Sequence, residues 1–108
     1  MLLIVSKYLI PNGFRGMTIF PFVILRDRAG VNIPVLMNHE KIHLRQQLEL
    51  LILPFFIWYV LEYVIRLVQF GNRHLAYRNI SFEREAYQNE SDLKYLQSRP
   101  FWAFVKLI

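Results

Sequence analysis

The sequence contains no cysteine. Disulfides are excluded, and so are thiolate metal sites, so any metal must be held by histidine and carboxylate. There is no internal repeat and no low-complexity linker, which fits a single domain over residues 1–108. Long uninterrupted apolar runs are also missing. Leu50 to Leu61 would span about 18 Å as a helix, against ~30 Å for a bilayer core. Extension to Phe70 admits Glu62 and Arg66, which stand four residues apart and can neutralise each other. No nucleic-acid motif is visible, and the lysines and arginines are scattered rather than clustered. The net charge of +5 therefore points to an anionic membrane surface more than to nucleic acid. A signal peptide is not evident, because Lys7 follows the apolar start instead of preceding it. A cytoplasmic location is expected, with membrane association as the open alternative.

What is present is strongly apolar. Hydrophobic residues make up 55% of the chain and aromatic residues 16%. A chain of 108 residues with this composition either packs a dense core or keeps apolar surface for a membrane or a partner.

Leu2 to Leu9 is apolar and partly β-branched and predicts a strand. Pro11-Asn12-Gly13 is a turn signal. Met17 to Arg26 predicts a second strand, at a sheet edge because Pro21 has no N–H for a ladder. Asp27-Arg28-Ala29-Gly30 reads as a hairpin-like turn and Val31 to Ile33 as a short return strand. This small antiparallel sheet leads into a helix opened by Pro34, with no breaker before Pro54. The stretch from Leu50 to Phe70 reads as a core helix kinked at Pro54, or else as a membrane-embedded or interfacial one. Gly71-Asn72-Arg73 ends it and begins a connector to Asn79. Ser81 can cap a last main helix that runs to about Gln97 and is stopped by Arg99-Pro100. Phe101 to Ile108 is an apolar tail.

The stretch with the most chemical information is Asn38-His39-Glu40-Lys41-Ile42-His43. Histidines at i and i+4 lie one turn apart on one helical face, so two imidazoles can share a zinc ion. Glu40 is offset by about 100° from His39, beside the metal and free to take a proton from an activated water. Asn38, Gln46 and Gln47 flank the site with polar groups. The plain alternative is two histidines and a solvated glutamate on an apolar helix.

A zinc held by two histidines needs a third protein ligand, and the candidates are downstream carboxylates. Glu49 and Glu62 follow on the same predicted helix, and Glu49 is offset from the histidine face. On the last helix Glu83, Tyr87 and Glu90 share one side. Glu85 lies about 160° from Glu83 and points elsewhere. Ala86 borders the Glu83 side, where a small side chain permits close approach of another helix. The alternative is an ordinary charged first turn favoured by the helix dipole. His74 does not fall at the spacing of a third histidine ligand, since positions 46 and 49 are Gln and Glu.

His39-Glu40-x-x-His43 followed by Glu83-x-x-Ala86 resembles the gluzincin metallopeptidases. The local pattern is similar to that of the heat-shock membrane peptidases and prenyl-protein endopeptidases, and the size resembles the minigluzincins. The resemblance implies Zn2+ as cofactor, His39, His43 and Glu83 as its ligands, and Glu40 as general base. Where the membrane peptidases carry Asp, this chain carries Tyr87, which either donates to a substrate oxyanion or packs.

The expected fold is α+β and minimal zincin-like: a small antiparallel sheet, a long helix bearing the histidines, and a second helix supplying Glu83. The expected function is that of a zinc metallopeptidase, a hydrolase acting on a peptide or protein, with an extended substrate added to the Met17 to Arg26 edge strand. The alternative is a non-catalytic zinc-binding module, attached to a membrane through the 50–70 helix. A purely structural site would need a fourth protein ligand from Glu90, Gln46 or the tail.

Overall fold

The computed structural model describes residues 2–11, 13–27 and 33–108. The chain is a mixed α+β fold, and the described residues form three short strands, β1 (Leu2–Val5), β2 (Gly16–Ile19) and β3 (Phe22–Leu25). The segment read as one strand from Met17 to Arg26 is a hairpin, turned at Phe20-Pro21. Pro21 thus interrupts the ladder where its missing N–H costs no bond. β3 is central in the order β1-β3-β2, and its Val23, Ile24 and Leu25 are buried.

The sheet is not wholly antiparallel. β2 pairs antiparallel with β3, but β1 lies parallel to it, from Leu2 opposite Phe22 to Val5 opposite Leu25. Parallel neighbours need a crossover, so the chain leaves the sheet after Val5 to reach the far edge. The strand expected through Leu9 stops there for that reason. Gly13 has φ of 92°, as a turn requires, while Asn12 lies outside the described residues. The expected hairpin turn and return strand fall largely on residues 28–32, also outside the described residues, and Ile33 already belongs to a helix.

That helix, α1 (Ile33–Glu49), carries Pro34 in its first turn. It does not continue through Pro54. The chain breaks at Leu51 and Ile52, both at positive φ, and Pro54 stands in the first turn of a new helix, α2 (Leu53–Phe70). Pro54 therefore starts a helix where it was expected to kink one. Gly71, at φ 65°, closes α2 by donating to the Leu67 carbonyl. The connector contains a short helix, α3 (Arg73–Arg78), capped by the Asn72 side chain.

The expected helix from Ser81 to Gln97 is two helices, α4 (Ser81–Asn89) and α5 (Tyr95–Ser98). The Asn38 amide accounts for the break. It donates to the carbonyls of Asn89, Glu90 and Asp92, which a continuing helix would use itself. Ser81 does not cap α4 with its side chain; its hydroxyl and backbone N–H both go to Glu62. The tail forms a 3-10 turn over Ala103–Leu107 that buries Ala103 and Phe104.

Leu50, Phe55, Ile80, Phe82 and Phe104 form the apolar core, with Phe56, Trp58, Tyr59 and Tyr63 packed against it. Only Phe55 and Glu62 of α2 are buried, so α2 is not the core helix its composition suggested. It covers one side of the core and leaves the rest of its circumference exposed.

Candidate metal centre

α4 packs across the face of α1 that carries His39 and His43, and Ala86 is fully buried beside Glu83. Three electron-pair donors converge there. His39 Nε2 and His43 Nε2 are 3.2 Å apart, and they stand 3.2 Å and 3.1 Å from Glu83 Oε1. The three residues are 4–6% exposed.

The outer nitrogens fix the protonation of both rings. His39 Nδ1 is 2.7 Å from Glu90 Oε2, and His43 Nδ1 is 2.8 Å from Gln46 Oε1. The Gln46 amide is oriented by donation from Nε2 to the Phe82 carbonyl and to Glu85. Carboxylate and amide oxygens accept, so each Nδ1 carries a proton and each Nε2 is the ring nitrogen left to face Glu83. Three acceptors this close repel unless a proton or a cation stands among them. A tetrahedral ion about 2.0–2.1 Å from each donor requires donor separations of about 3.3 Å, so the residues fit a zinc ion. They are also the described histidine and carboxylate groups that meet the spacing for a metal.

Burial alone would raise the Glu83 carboxyl, but His43 and His39 outweigh it and hold it well below the usual carboxylate range. Burial alone would depress His43, but Glu83 dominates and pushes it up to about 9. Without a metal, a proton shared toward Glu83 takes the cation's part, and metal binding would displace it.

Glu40 is 4% exposed and points toward β2. Its Oε2 accepts a hydrogen bond from Thr18 Oγ1 at 2.5 Å. A Cβ on Gly16 would stand 2.8 Å from Glu40 Oε1, so β2 approaches α1 this closely because residue 16 has no side chain. Burial pushes the Glu40 carboxyl up, against the opposing pull of His43 and His39.

Glu83, Tyr87 and Glu90 all meet His39, as their shared helical side requires. The Tyr87 ring stands edge-on to His39 with centroids 4.5 Å apart, under the Arg78 guanidinium. Its hydroxyl is 3.1 Å from that of Tyr77. Glu90 and Gln46, considered as a fourth ligand, instead hold the outer ring nitrogens. Asn38 supports the site at one remove, by fixing the end of α4 that carries Glu90. The other carboxylates lie elsewhere. Glu49 and Glu85 bind Arg99, and Glu62, on α2 rather than on the histidine helix, binds Ser81. His74 is exposed on α3.

Sequence reasoning missed Thr18, Gly16 and Tyr59. Tyr59 donates to Glu83 Oε2 at 2.7 Å and fixes the carboxylate from the side opposite the histidines. Burial, and then Glu83 itself, hold the Tyr59 hydroxyl protonated. Its one sequence signal is the helical spacing of Phe55, Tyr59, Glu62 and Arg66. Gln47 is more than a flanking polar residue. Its amide donates to the Thr18 carbonyl and accepts from the Phe20 N–H, both at 2.7 Å. It thereby occupies backbone groups of β2 and of the turn after it that an added peptide strand would use.

No protein-family model, no curated protein and no solved structure matches this chain.

Proposed function

We propose that the chain binds one zinc ion through His39, His43 and Glu83 and hydrolyses peptide bonds, with Glu40 as general base. The observation that carries this reading is the meeting of three donors within 3.2 Å, with a buried carboxyl one residue along the same helix. When bound, zinc supplies a Lewis acid that polarises a carbonyl and acidifies a water. Glu40 takes the proton from the attacking water and delivers it to the departing amine. Its burial raises its proton affinity toward that task, and Thr18 holds one of its oxygens in place. Tyr59 and Glu90 keep Glu83 and His39 aimed at the metal. Tyr87 holds the His39 ring, and its hydroxyl is the candidate donor to a substrate oxyanion. The proposed setting is cytoplasmic.

The test compares wild type with Glu40→Gln on a mixed peptide library at equal zinc occupancy, measured by elemental analysis. The amide can hydrogen-bond water but cannot accept its proton. Turnover should fall by about 10²–10⁴-fold with zinc content unchanged. Equal rates would remove Glu40 from the mechanism. A second reading, a non-catalytic zinc tie, is favoured by the low exposure of the ligands, 4–6%. Zinc-loaded wild type that cleaves nothing, and loses stability when stripped of zinc, would select that reading.

A further inference from the structure

α2 is amphipathic in the reverse sense for a helix of a soluble domain. Its exposed side carries Ile57, Val60, Leu61, Val64, Ile65 and Val68, from 50% to 83% exposed. At about 100° per residue these fall within an arc of about 140°. The helix's two charged residues, Glu62 and Arg66, lie on the opposite side and face the body of the protein, 3.9 Å apart. Tyr59, the donor to Glu83, lies on that side as well. A soluble helix places its aliphatic face inward and its charges outward. Here the charges are inside and the aliphatic face has no cover among the described residues.

We infer that α2 docks along the surface of an anionic lipid bilayer, its axis in the membrane plane and its aliphatic arc sunk into one leaflet. Three observations favour lipid over a protein partner. First, an arc of about 140° is wider than the seam between paired helices. Second, the arc holds Leu, Ile and Val and none of the Trp, Tyr or Arg that anchor protein interfaces. A non-directional apolar solvent needs no such anchors. Third, the charge is complementary to acidic headgroups. The chain carries +5, exposed Arg73 lies just past the end of α2, and exposed Lys106 is two residues from Ile108. Ile108 itself lines a shallow groove with Ile57, Leu61 and Ile65, which extends the apolar surface onto the tail, and Trp58 and Glu62 line the groove's inner wall at the edge of the arc. The 18-residue helix is about 27 Å long, enough to lie along the interface as a single element. Its opposite face is bound to the protein's own core, so lipid does not surround it. None of this depends on the metal centre.

The experiment is flotation of the full chain with mixed phosphatidylcholine–phosphatidylglycerol vesicles on a density gradient, repeated with a chelator. Wild type should float with the vesicles in both conditions and be released by a carbonate wash. The double variant Leu61→Glu/Val64→Glu, at two exposed positions, should keep its helical circular dichroism and bind at least about tenfold more weakly. If it fails to fold, Val68→Glu, at the 83% exposed position, gives the same test. Wild type that does not float, or variants that float equally well, would overturn the inference. So would resistance to carbonate, which would mean a spanning helix. A dimer in lipid-free solution that the double variant splits, with no flotation by either form, would assign the face to a second copy. Equal flotation on pure phosphatidylcholine would overturn the electrostatic half of the inference.

Discussion

Two polar clusters lie side by side between α1 and α4, and they balance buried charge in opposite ways. In one, Glu49 and Glu85 close on Arg99, whose side chain is 0% exposed. Arg99 Nη1 and Nη2 meet the two Glu49 oxygens at 2.7 and 2.9 Å, and Nε and Nη2 meet Glu85. Tyr95 and Gln46 donate to Glu85 as well, so the cluster carries its own cation and satisfies its acceptors. In the other, Glu83 is nearly as deeply buried, but its described side-chain partners are His39, His43 and Tyr59. Gln46 belongs to both, with its oxygen on His43 and its nitrogen on Glu85. A carboxylate that meets a guanidinium is a tie within the fold. Glu83 meets two imidazoles instead, and the proton they share with it is one that a metal ion can displace.

The sharpest way to break this contrast is to remove the built-in cation. Arg99→Met leaves two buried carboxylates unpaired and should destabilise the fold by about 3–5 kcal/mol. Denaturant unfolding of the metal-free protein measures it. A loss below about 1 kcal/mol, the worth of an exposed pair, would mean that the cluster is not closed.

Next is a pair of substitutions on α4. Glu83→Gln removes a ligand and should weaken zinc binding by more than about 100-fold, beyond what an outer hydrogen-bonding partner supplies. In the metal-free protein it also takes from His43 its carboxylate partner and should lower stability. Glu85→Gln should lower metal-free stability too but spare zinc affinity, so zinc affinity is the quantity that separates the two. Competition with a chelator and denaturant melts report the two quantities separately. If both variants lose zinc equally, the clusters act as one unit and the distinction between them fails.

A smaller effect separates the ligands from the groups that orient them. Glu90→Gln leaves His39 in place but takes the full negative charge from its Nδ1–H. Partners of this kind are worth about 10–100-fold in metal affinity. An unchanged chelator titration would show that Glu90 only packs against the ring.

The candidate centre was legible because its signals are local. His39 and His43 need only the helical period, and Glu83 against Glu85 needs only the turn of a second helix. The strand that proved to be a hairpin was ambiguous because Thr18 to Leu25 is apolar on both sides of Pro21, and pairing within it depends on the third strand. The break at Leu51-Ile52 had one signal, Pro54, which suits a helix start as well as a kink, while the positive φ is borne by Leu and Ile without a glycine or asparagine. Packing of Leu50 and Phe55 into one core imposes it from outside the local sequence. For α2 the two faces could be drawn from spacing, but not which one turns inward. Periodicity gives the direction of a moment and not its sign relative to the body. Glu62 and Arg66 could be read as neutralising each other, but the Ser81 hydroxyl that donates to Glu62 is 19 residues away. Arg99 as partner of Glu49 is longer-range still, 50 residues away, although Glu85 is only 14 from it.

Tyr59 connects these two kinds of information, because it brings the inner face of α2 to Glu83, the proposed ligand contributed by α4. Its hydroxyl donates to Glu83 Oε2, while Oε1 is the oxygen facing the histidines. Tyr59→Phe keeps the ring against Phe55 and Phe82 and removes that one bond. A hydrogen bond to a free carboxylate is worth about 1.5–3 kcal/mol, but a metal on the other oxygen withdraws part of the charge. The expected loss in zinc affinity is therefore at the lower scale of ordinary hydrogen bonds, about 0.5–1.5 kcal/mol, or two- to tenfold. Chelator competition is sensitive enough to see it. A loss as large as that of Glu83→Gln would mean that Tyr59 positions the whole α4 turn. No loss would mean that Glu83 is held by α4 alone, and the metal centre would then be mechanically independent of α2.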